Sequence, residues 1–292
     1  MVWVSTRWKI LLMLAPALVV FTMFVVYPVV YSGVFSFTRF QGFGSPTWIG
    51  VDNYVALVGD PFFWQSLQNT IVILAVSLAV LIPSSFALAL LLQRAVAGRG
   101  LLRALVFGPA IIAPILVGLI WVFILDPKIG LLNRSLALFG VPPIPWIGGD
   151  HLTPVSVSIV FIWSSIGFAM TIFYAGLQLL PGDVLEASAL DGASGWQQIW
   201  HIKIPMMRET FAIVTILMIT NIFKIFELVY MLTGGGPVHR SETLVSYMYF
   251  ITFTNQQYGY GMAFAVVITI LGAIVSAGYL AAAQRKGKEA TA

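Results

Sequence analysis

LEASALDGASGWQQIWHIKIP, residues 185–205, is a polar stretch lying between two long apolar runs. It carries Glu186, Asp191, His201 and Lys203, with Gly192, Gly195 and Pro205, in a chain of 292 residues that is 9% charged and 59% hydrophobic. Soluble domains hold roughly 25% charged residues, and the mean hydropathy here is +0.95. The chain therefore reads as an all-α integral membrane protein, and the stretch as a loop joining two of its spans.

A helix needs about 20 apolar residues to cross the hydrocarbon core. Six segments qualify, at roughly 10–37, 69–92, 104–125, 154–180, 210–232 and 262–283. Arg7 and Lys9 ahead of the first run resemble the start of a secretory signal, but residues 10–38 carry no charge. That exceeds the 7 to 15 apolar residues of a signal core, so a retained first span is expected. With the N-terminus in the cytoplasm, ten cations fall inside: Arg7, Lys9, Arg94, Arg99, Arg103, Lys203, Arg208, Arg285, Lys286 and Lys288. Four fall outside, at Arg39, Lys128, Arg134 and Arg240, and Lys224 lies within a span. This asymmetry obeys the positive-inside rule. It predicts a multi-pass protein of a cytoplasmic (inner) membrane with both termini cytoplasmic, and it puts residues 185–205 in the cytoplasm.

Outside the spans, Trp48, Phe62, Phe63, Trp64 and Trp146 suit anchors at the headgroup level. Pro142, Pro143 and Pro145 preclude a long helix in their loop. Pro16, Pro28, Pro83, Pro109 and Pro114 fall inside spans and predict kinks, because each removes a backbone donor.

Several chemistries are excluded. The net charge of +4 is spent on topology, and no basic cluster interleaves with aromatics, so nucleic acid is not a partner. The chain has no cysteine, hence no disulfide or thiolate chemistry. It has no G-x-x-x-x-G-K-[ST] loop to cradle nucleotide phosphates. His151, His201 and His239 lie outside the spans, and no H-E-x-x-H or paired carboxylates stand at metal-ligand spacing.

Physically, the opening stretch predicts two short helices. Asp183 is a suitable N-cap for a helix over about 184–190, and Gly192 with Ala193 permits a sharp turn before a second helix near 195–200. The small Ala187, Ser188 and Ala189 allow close approach. Leu185, Leu190, Trp196, Ile199 and Trp200 need something to pack against, and a protein partner is the natural candidate.

The same residues resemble the cytoplasmic signature of binding-protein-dependent ABC importers: Glu-Ala-Ala, three residues, Gly, nine residues, Ile-x-Leu-Pro. Glu186, Ala187, Gly192, Ile202 and Pro205 match in spacing, with Ser188 in place of the second alanine and Ile204 in place of leucine. WIGVDNYVALVGDPFFWQSLQNT (48–70), RALVFGPAIIAPILVGLIWVFILDPKIGLLN (103–133), FKIFELVYMLTGGGP (223–237) and SETL (241–244) are similar to permeases of maltose-type carbohydrate importers. The resemblance implies a type I ABC importer permease fold. It implies that Glu186, Ala187, Ser188, Asp191, Gly192, Ala193, Ile202 and Pro205 form a coupling helix that docks on a cytoplasmic ATPase. It implies a second homologous permease, two ATPase subunits that use ATP and Mg, an extracytoplasmic solute-binding protein, and a carbohydrate cargo moved by alternating access. No cofactor is expected on this chain. The domains expected are 1–66 (N-terminal end, first span and outer loop), 67–284 (core permease domain, with its coupling loop at 181–209) and a tail at 285–292.

Lys224 and Glu227 are the ionisable residues deep within a span. In a continuous helix at 100° per residue, Asn221, Lys224 and Glu227 share a sector of about 120° and the two charges are spaced to pair. Facing lipid would cost several kcal/mol, so this face is expected to look into protein or a water-filled pathway. Two roles stay open: hydrogen bonding to solute hydroxyls, or holding the helix to its neighbours. Phe223, Phe226 and Tyr230 are expected to pack on the opposite side. Gly234, Gly235, Gly236 and Pro237 end this span in an outer turn, which the resemblance places where the binding protein could touch. The rival classes are a stand-alone secondary carrier or channel, for which no inverted repeat is visible, and a non-transporting scaffold.

Overall fold

The computed structural model describes residues 7–93, 98–149 and 152–289. Arg94 and His151 lie outside these residues, as do the side chains of Arg7, Lys9, Arg285, Lys286 and Lys288, five of the cations assigned to the cytoplasmic side. Two compact units make up the chain, Met1–Asp60 with Met248–Thr269, and Pro61–Tyr247 with Ile270–Ala292.

In the first unit, α1 (Arg7–Phe21), a π turn (Thr22–Val26) and α2 (Tyr27–Phe35) form one long apolar helix. Pro28 cannot donate to the carbonyl four residues back, and the π turn surrounds that carbonyl, so the helix widens where the bond is missing. None of the most apolar window of this helix is buried within the chain. A two-stranded antiparallel ribbon follows, β1 (Thr38–Arg39) on β2 (Thr47–Trp48), and then α3 (Asp52–Gly59). Asn53 holds the connection together. Its buried side-chain amide donates to the carbonyls of Ser36 at 2.8 Å and Thr38 at 2.9 Å, and the neighbouring Tyr54 hydroxyl meets Ser36 Oγ at 2.7 Å.

The second unit opens with α4 (Pro61–Gln93), eight residues earlier than the apolar run alone suggested. After it come α5 (Arg99–Phe107), a 3-10 turn (Gly108–Ile111), α6 (Pro114–Leu125), α7 (Leu131–Ala137) and α8 (Leu152–Gln178). Next are α9 (Gly182–Leu190), α10 (Gly195–Gln198), a second π turn (Ile199–Lys203), α11 (Ile204–Met206), α12 (Arg208–Phe223) and α13 (Glu227–Thr233). In sequence, α14 (Leu244–Tyr249) and α15 (Tyr258–Glu289) complete the chain. Among the described residues, four helices are long and apolar enough to cross a membrane, or six when each bent pair counts as one span.

Those bent pairs give the kink expected in the third span its size and correct the continuous helix expected for the fifth. The segment expected at 104–125 turns through 102° between α5 and α6. Pro109 and Pro114 bracket the turn, and Ile112 and Ala113 take extended backbone angles (ψ 133° and 136°), as the residue before a proline prefers. The segment expected at 210–232 bends by 50° between α12 and α13. A further apolar helix over Leu244–Thr254 stands where a loop was expected. Phe63, expected as a headgroup anchor, is buried, and Trp146 is half-buried, donating to Asn133 Oδ1 at 2.9 Å.

The core of this unit lies among α4, α6, α8, α12 and α13. Phe86, Phe173 and Phe211 meet ring to ring, at centroid distances of 5.5, 5.0 and 4.7 Å. Glycines set the closest helix crossings, as small residues do between membrane helices. A Cβ on Gly167 of α8 would stand 2.2 Å from the Val106 carbonyl oxygen, and one on Gly118 of α6 would stand 2.9 Å from Met231 Cβ on α13. Beyond α6, the Asp126 carboxylate accepts from the amides of Lys128 (2.8 Å) and Ile129 (2.9 Å), and these bonds hold its pKa below the usual carboxylate value.

Gly167→Ala forces backbone apart and is expected to cost about 1–3 kcal/mol, seen as a lower Tm of the detergent-purified protein. Gly272→Ala, where a Cβ would meet the Phe223 ring no closer than 3.7 Å, is the near-neutral control.

Candidate functional site

The loop between α8 and α12 is built as two short helices locked against each other. α9 begins two residues earlier than expected, with Pro181 at its N-cap and no side-chain cap. Asp183 sits instead in the first turn, where its charge favours the helix dipole. The helix ends in a Schellman turn: Gly192, at φ +83°, donates to the Ala189 carbonyl, and Ala193 donates to the Ser188 carbonyl. Only glycine takes this conformation without steric cost, which gives a physical reason for Gly192. α10 starts on a capping box, Ser194 with Gln197, each side chain bonding the other's backbone amide. Gln198, a residue whose role spacing alone does not reveal, donates to the Leu185 carbonyl (3.3 Å) and to Ser188 Oγ (3.0 Å), and so ties the two helices together.

This knuckle is polar and apolar by turns. Glu186, Ala187, Asp191 and Pro205 are exposed, Ser188, Ala193 and Ile202 half-buried. Leu190 is 89% exposed, Trp196 69% and Trp200 53%, and the two indoles meet edge to face at 5.8 Å. Ile199 and Ile204 pack against the core. Lys203 reaches Gln93 at the end of α4 with a 3.0 Å hydrogen bond, anchoring the loop on the helix bundle. The π turn before Pro205 repeats the device seen before Pro28.

A second site is an open cavity on one side of the bundle, where Asn221, Lys224 and Glu227 are exposed. Asn221, Lys224 and Glu227 do come together, but not on a continuous helix. Lys224 closes α12, residues 225 and 226 are unwound, and Glu227 opens α13. All three line a cavity of about 380 Å³, with Ser164, Ser165 and Phe161 of α8, Pro114 and Val117 of α6, and Ile225 and Leu228. Both helix breaks therefore meet at one cavity. The expected pairing of the two charges is corrected: Lys224 and Glu227 form no salt bridge, because the bend displaces them from helical i, i+3 geometry. The cavity thus offers an ammonium, a carboxylate, an amide and two hydroxyls. Phe223 is buried as expected, whereas Tyr230 is exposed and its ring lies 5.4 Å from that of Phe226.

The turn after α13 is strongly left-handed, with Gly234 at φ +56° and Gly235 at φ +78°, and the Gly236–Pro237 peptide is cis. A Cβ on Gly235 would collide with the Glu242 carboxylate, which is buried and lies 3.4 Å from His239 Nδ1. The Ser-Glu-Thr stretch at 241–243 is buried throughout. Ser164 and Ser165 escaped the sequence reading of the cavity; their adjacency in the apolar run of α8 was the available signal.

Helices broken at mid-span around a polar cavity are how solute-moving membrane proteins present polar groups at depth, and these elements define a membrane permease. Residues 84–288 match the family of binding-protein-dependent transport system inner membrane components, and the chain belongs to that family. A probable ABC transporter permease of Bacillus subtilis (strain 168) is 33% identical over 89% of this chain and 90% of its own. The sulfoquinovosyl glycerol transport system permease of Agrobacterium fabrum (strain C58 / ATCC 33970) is 30% identical over 94% and 92%. The fold is also that of a bacterial alginate ABC transporter, whose crystal structure in complex with an alginate pentasaccharide-bound periplasmic protein superposes with a TM-score of 0.83 at 21% identity, covering 96% of each chain.

Gln198→Ala removes both ties between α9 and α10. The loss of about 1 kcal/mol is expected to speed amide hydrogen exchange across residues 185–203, with exchange in α8 unchanged.

Proposed function

We propose that this chain is one permease subunit of an ATP-driven importer that takes a sugar, an oligosaccharide or a related polyol or sugar phosphate into the cytoplasm by alternating access. Residues 182–205 are its docking knuckle for a cytoplasmic ATPase, and both termini lie on that side. The observation that carries the reading is the knuckle itself. It is rigid, tied by Gln198 and the Schellman turn, yet it presents Leu190, Trp196 and Trp200 to solvent. Burying those three side chains on a partner is worth about 1.5–3 kcal/mol each, and the chain carries no nucleotide-binding loop of its own. Hydrolysis of ATP with Mg then belongs to a pair of ATPase subunits. A second, homologous permease and an extracytoplasmic binding protein complete the assembly.

The cargo class follows from the cavity together with the sulfoquinovosyl glycerol relative. Asn221, Ser164 and Ser165 both donate and accept, Lys224 donates and Glu227 accepts, a set suited to the vicinal hydroxyls of a carbohydrate. The Gly234–Pro237 turn faces away from the knuckle along the chain's topology and is the proposed contact for the binding protein.

Two outcomes test the reading in proteoliposomes holding the full complex. Gly192→Trp places a bulky ring on the docking surface and is expected to abolish ATPase stimulation by the loaded binding protein. Gly192→Asn, which tolerates a left-handed backbone, is expected to keep most of it. Wild-type coupling in Gly192→Trp, or uptake by the chain reconstituted alone without ATP, overturns the proposal. Lys224→Ala and Asn221→Ala are expected to lower uptake at least about tenfold, with the complex still assembled, when maltose, glycerol and glycerol 3-phosphate are offered with the cognate binding protein.

A further inference from the structure

The break in the fifth span is held open by a residue far along the chain. In a continuous helix the carbonyl of Ile225 would accept the amide of Val229, four residues on. It makes no such bond here; it accepts the Thr243 hydroxyl at 3.0 Å. Thr243 is 1% exposed, so the hydroxyl reaches the carbonyl in a dry setting, where an unmatched carbonyl is expensive.

Thr243 is in turn fixed on three sides. Its own amide donates to Ser246 Oγ at 2.8 Å. The carbonyls of Arg240 and Glu242, which precede it, accept the Asn69 side-chain amide at 2.7 and 2.9 Å, and Asn69 is 2% exposed on α4. The next amide, of Leu244, donates to Thr70 Oγ1 at 3.1 Å, also on α4. The segment 240–244 is thus a strap running from α4 to the unwound turn, where the Thr243 hydroxyl stands in for the Val229 amide at the Ile225 carbonyl.

We propose that Thr243 is the positioning residue of the solute pathway: its hydroxyl occupies the Ile225 carbonyl, keeps α12 and α13 from joining, and so keeps Lys224 at a helix end on the cavity wall rather than inside a continuous helix. The role rests on the cavity being the pathway. Asn69 and Thr70 act one step further out, by holding the strap against α4.

Hydrogen exchange of the assembled complex tests this without knowledge of the cargo. Thr243→Val keeps the shape and removes the donor. The carbonyl is then free for Val229, and exchange over residues 225–229 is expected to slow by about two- to tenfold, the shift one net hydrogen bond carries. Thr243→Ser is expected to restore wild-type exchange. Faster exchange in Thr243→Val is the mark of a strap that only stabilises, and unchanged exchange is the mark of one that does not touch the break; either overturns the proposal. If Thr243→Val fails to assemble, Asn69→Ala, which slackens the strap without removing the hydroxyl, decides by the same sign. Uptake of whichever probe sugar the wild-type complex moves fastest is expected to fall in Thr243→Val and to fall no further when Lys224→Ala is added. A Lys224→Ala complex with wild-type uptake overturns the pathway and with it the positioning role. A Lys224→Ala defect beside unchanged exchange in Thr243→Val overturns the positioning role alone.

Discussion

A peptide carbonyl without a donor is costly in hydrocarbon, and that constraint governs this chain wherever its helices stop being regular. The structure answers it differently at each place. Where Pro28 removes a donor, a π turn spreads the deficit over one wider turn. At the break in the fifth span, the Ile225 carbonyl is matched from another part of the chain, by Thr243. That solution lets an unwound turn persist at depth, and with it a cavity that a straight helix would not form.

Two broken helices meet at that cavity, and their C-terminal halves, α6 and α13, are bound to each other. α6 and α13 cross at Gly118, close enough that a Cβ would meet Met231 and the Leu228 carbonyl. α5 crosses α8 at Gly167 through backbone contact. Glycine at each crossing converts what would be side-chain packing into backbone packing, which is stiff and has few alternatives. The polar groups of Asn221, Lys224, Glu227, Ser164 and Ser165 are carried on these stiff pieces, so the geometry of the cavity depends on how the pieces are tied at the turns. At the other end of α8 and α12 the proposed docking knuckle is held by the same kind of local rule, a Schellman turn, a capping box and one bridging glutamine.

Much of this was legible in residues near each other in sequence. Six apolar runs announce six crossings because apolar length is a property of the run itself. Gly192 and Ser194 announce a turn and a helix start because their effect reaches only a few residues. Pro109 and Pro114 announced a disturbance, but a proline states that a bond is lost without stating the angle that follows, and the 102° turn depends on what α5 and α6 lie against. Asn221, Lys224 and Glu227 were grouped by helical periodicity, and they are grouped in the structure, although by a bend that periodicity excludes and without the ion pair that periodicity allows.

From the sequence alone came the membrane class, the apolar runs of its candidate spans, the polar residues within the fifth of them and the two-helix form of the 182–205 loop, since each depends on composition or on contacts within a turn or two. Tertiary structure alone decided that the third and fifth spans break, that the breaks share a cavity with Ser164 and Ser165, and that Asn69 and Thr243 hold the turn between α12 and α13. Those outcomes join residues up to 174 positions apart, and a hydrogen bond across that separation leaves no periodic trace in either partner's surroundings.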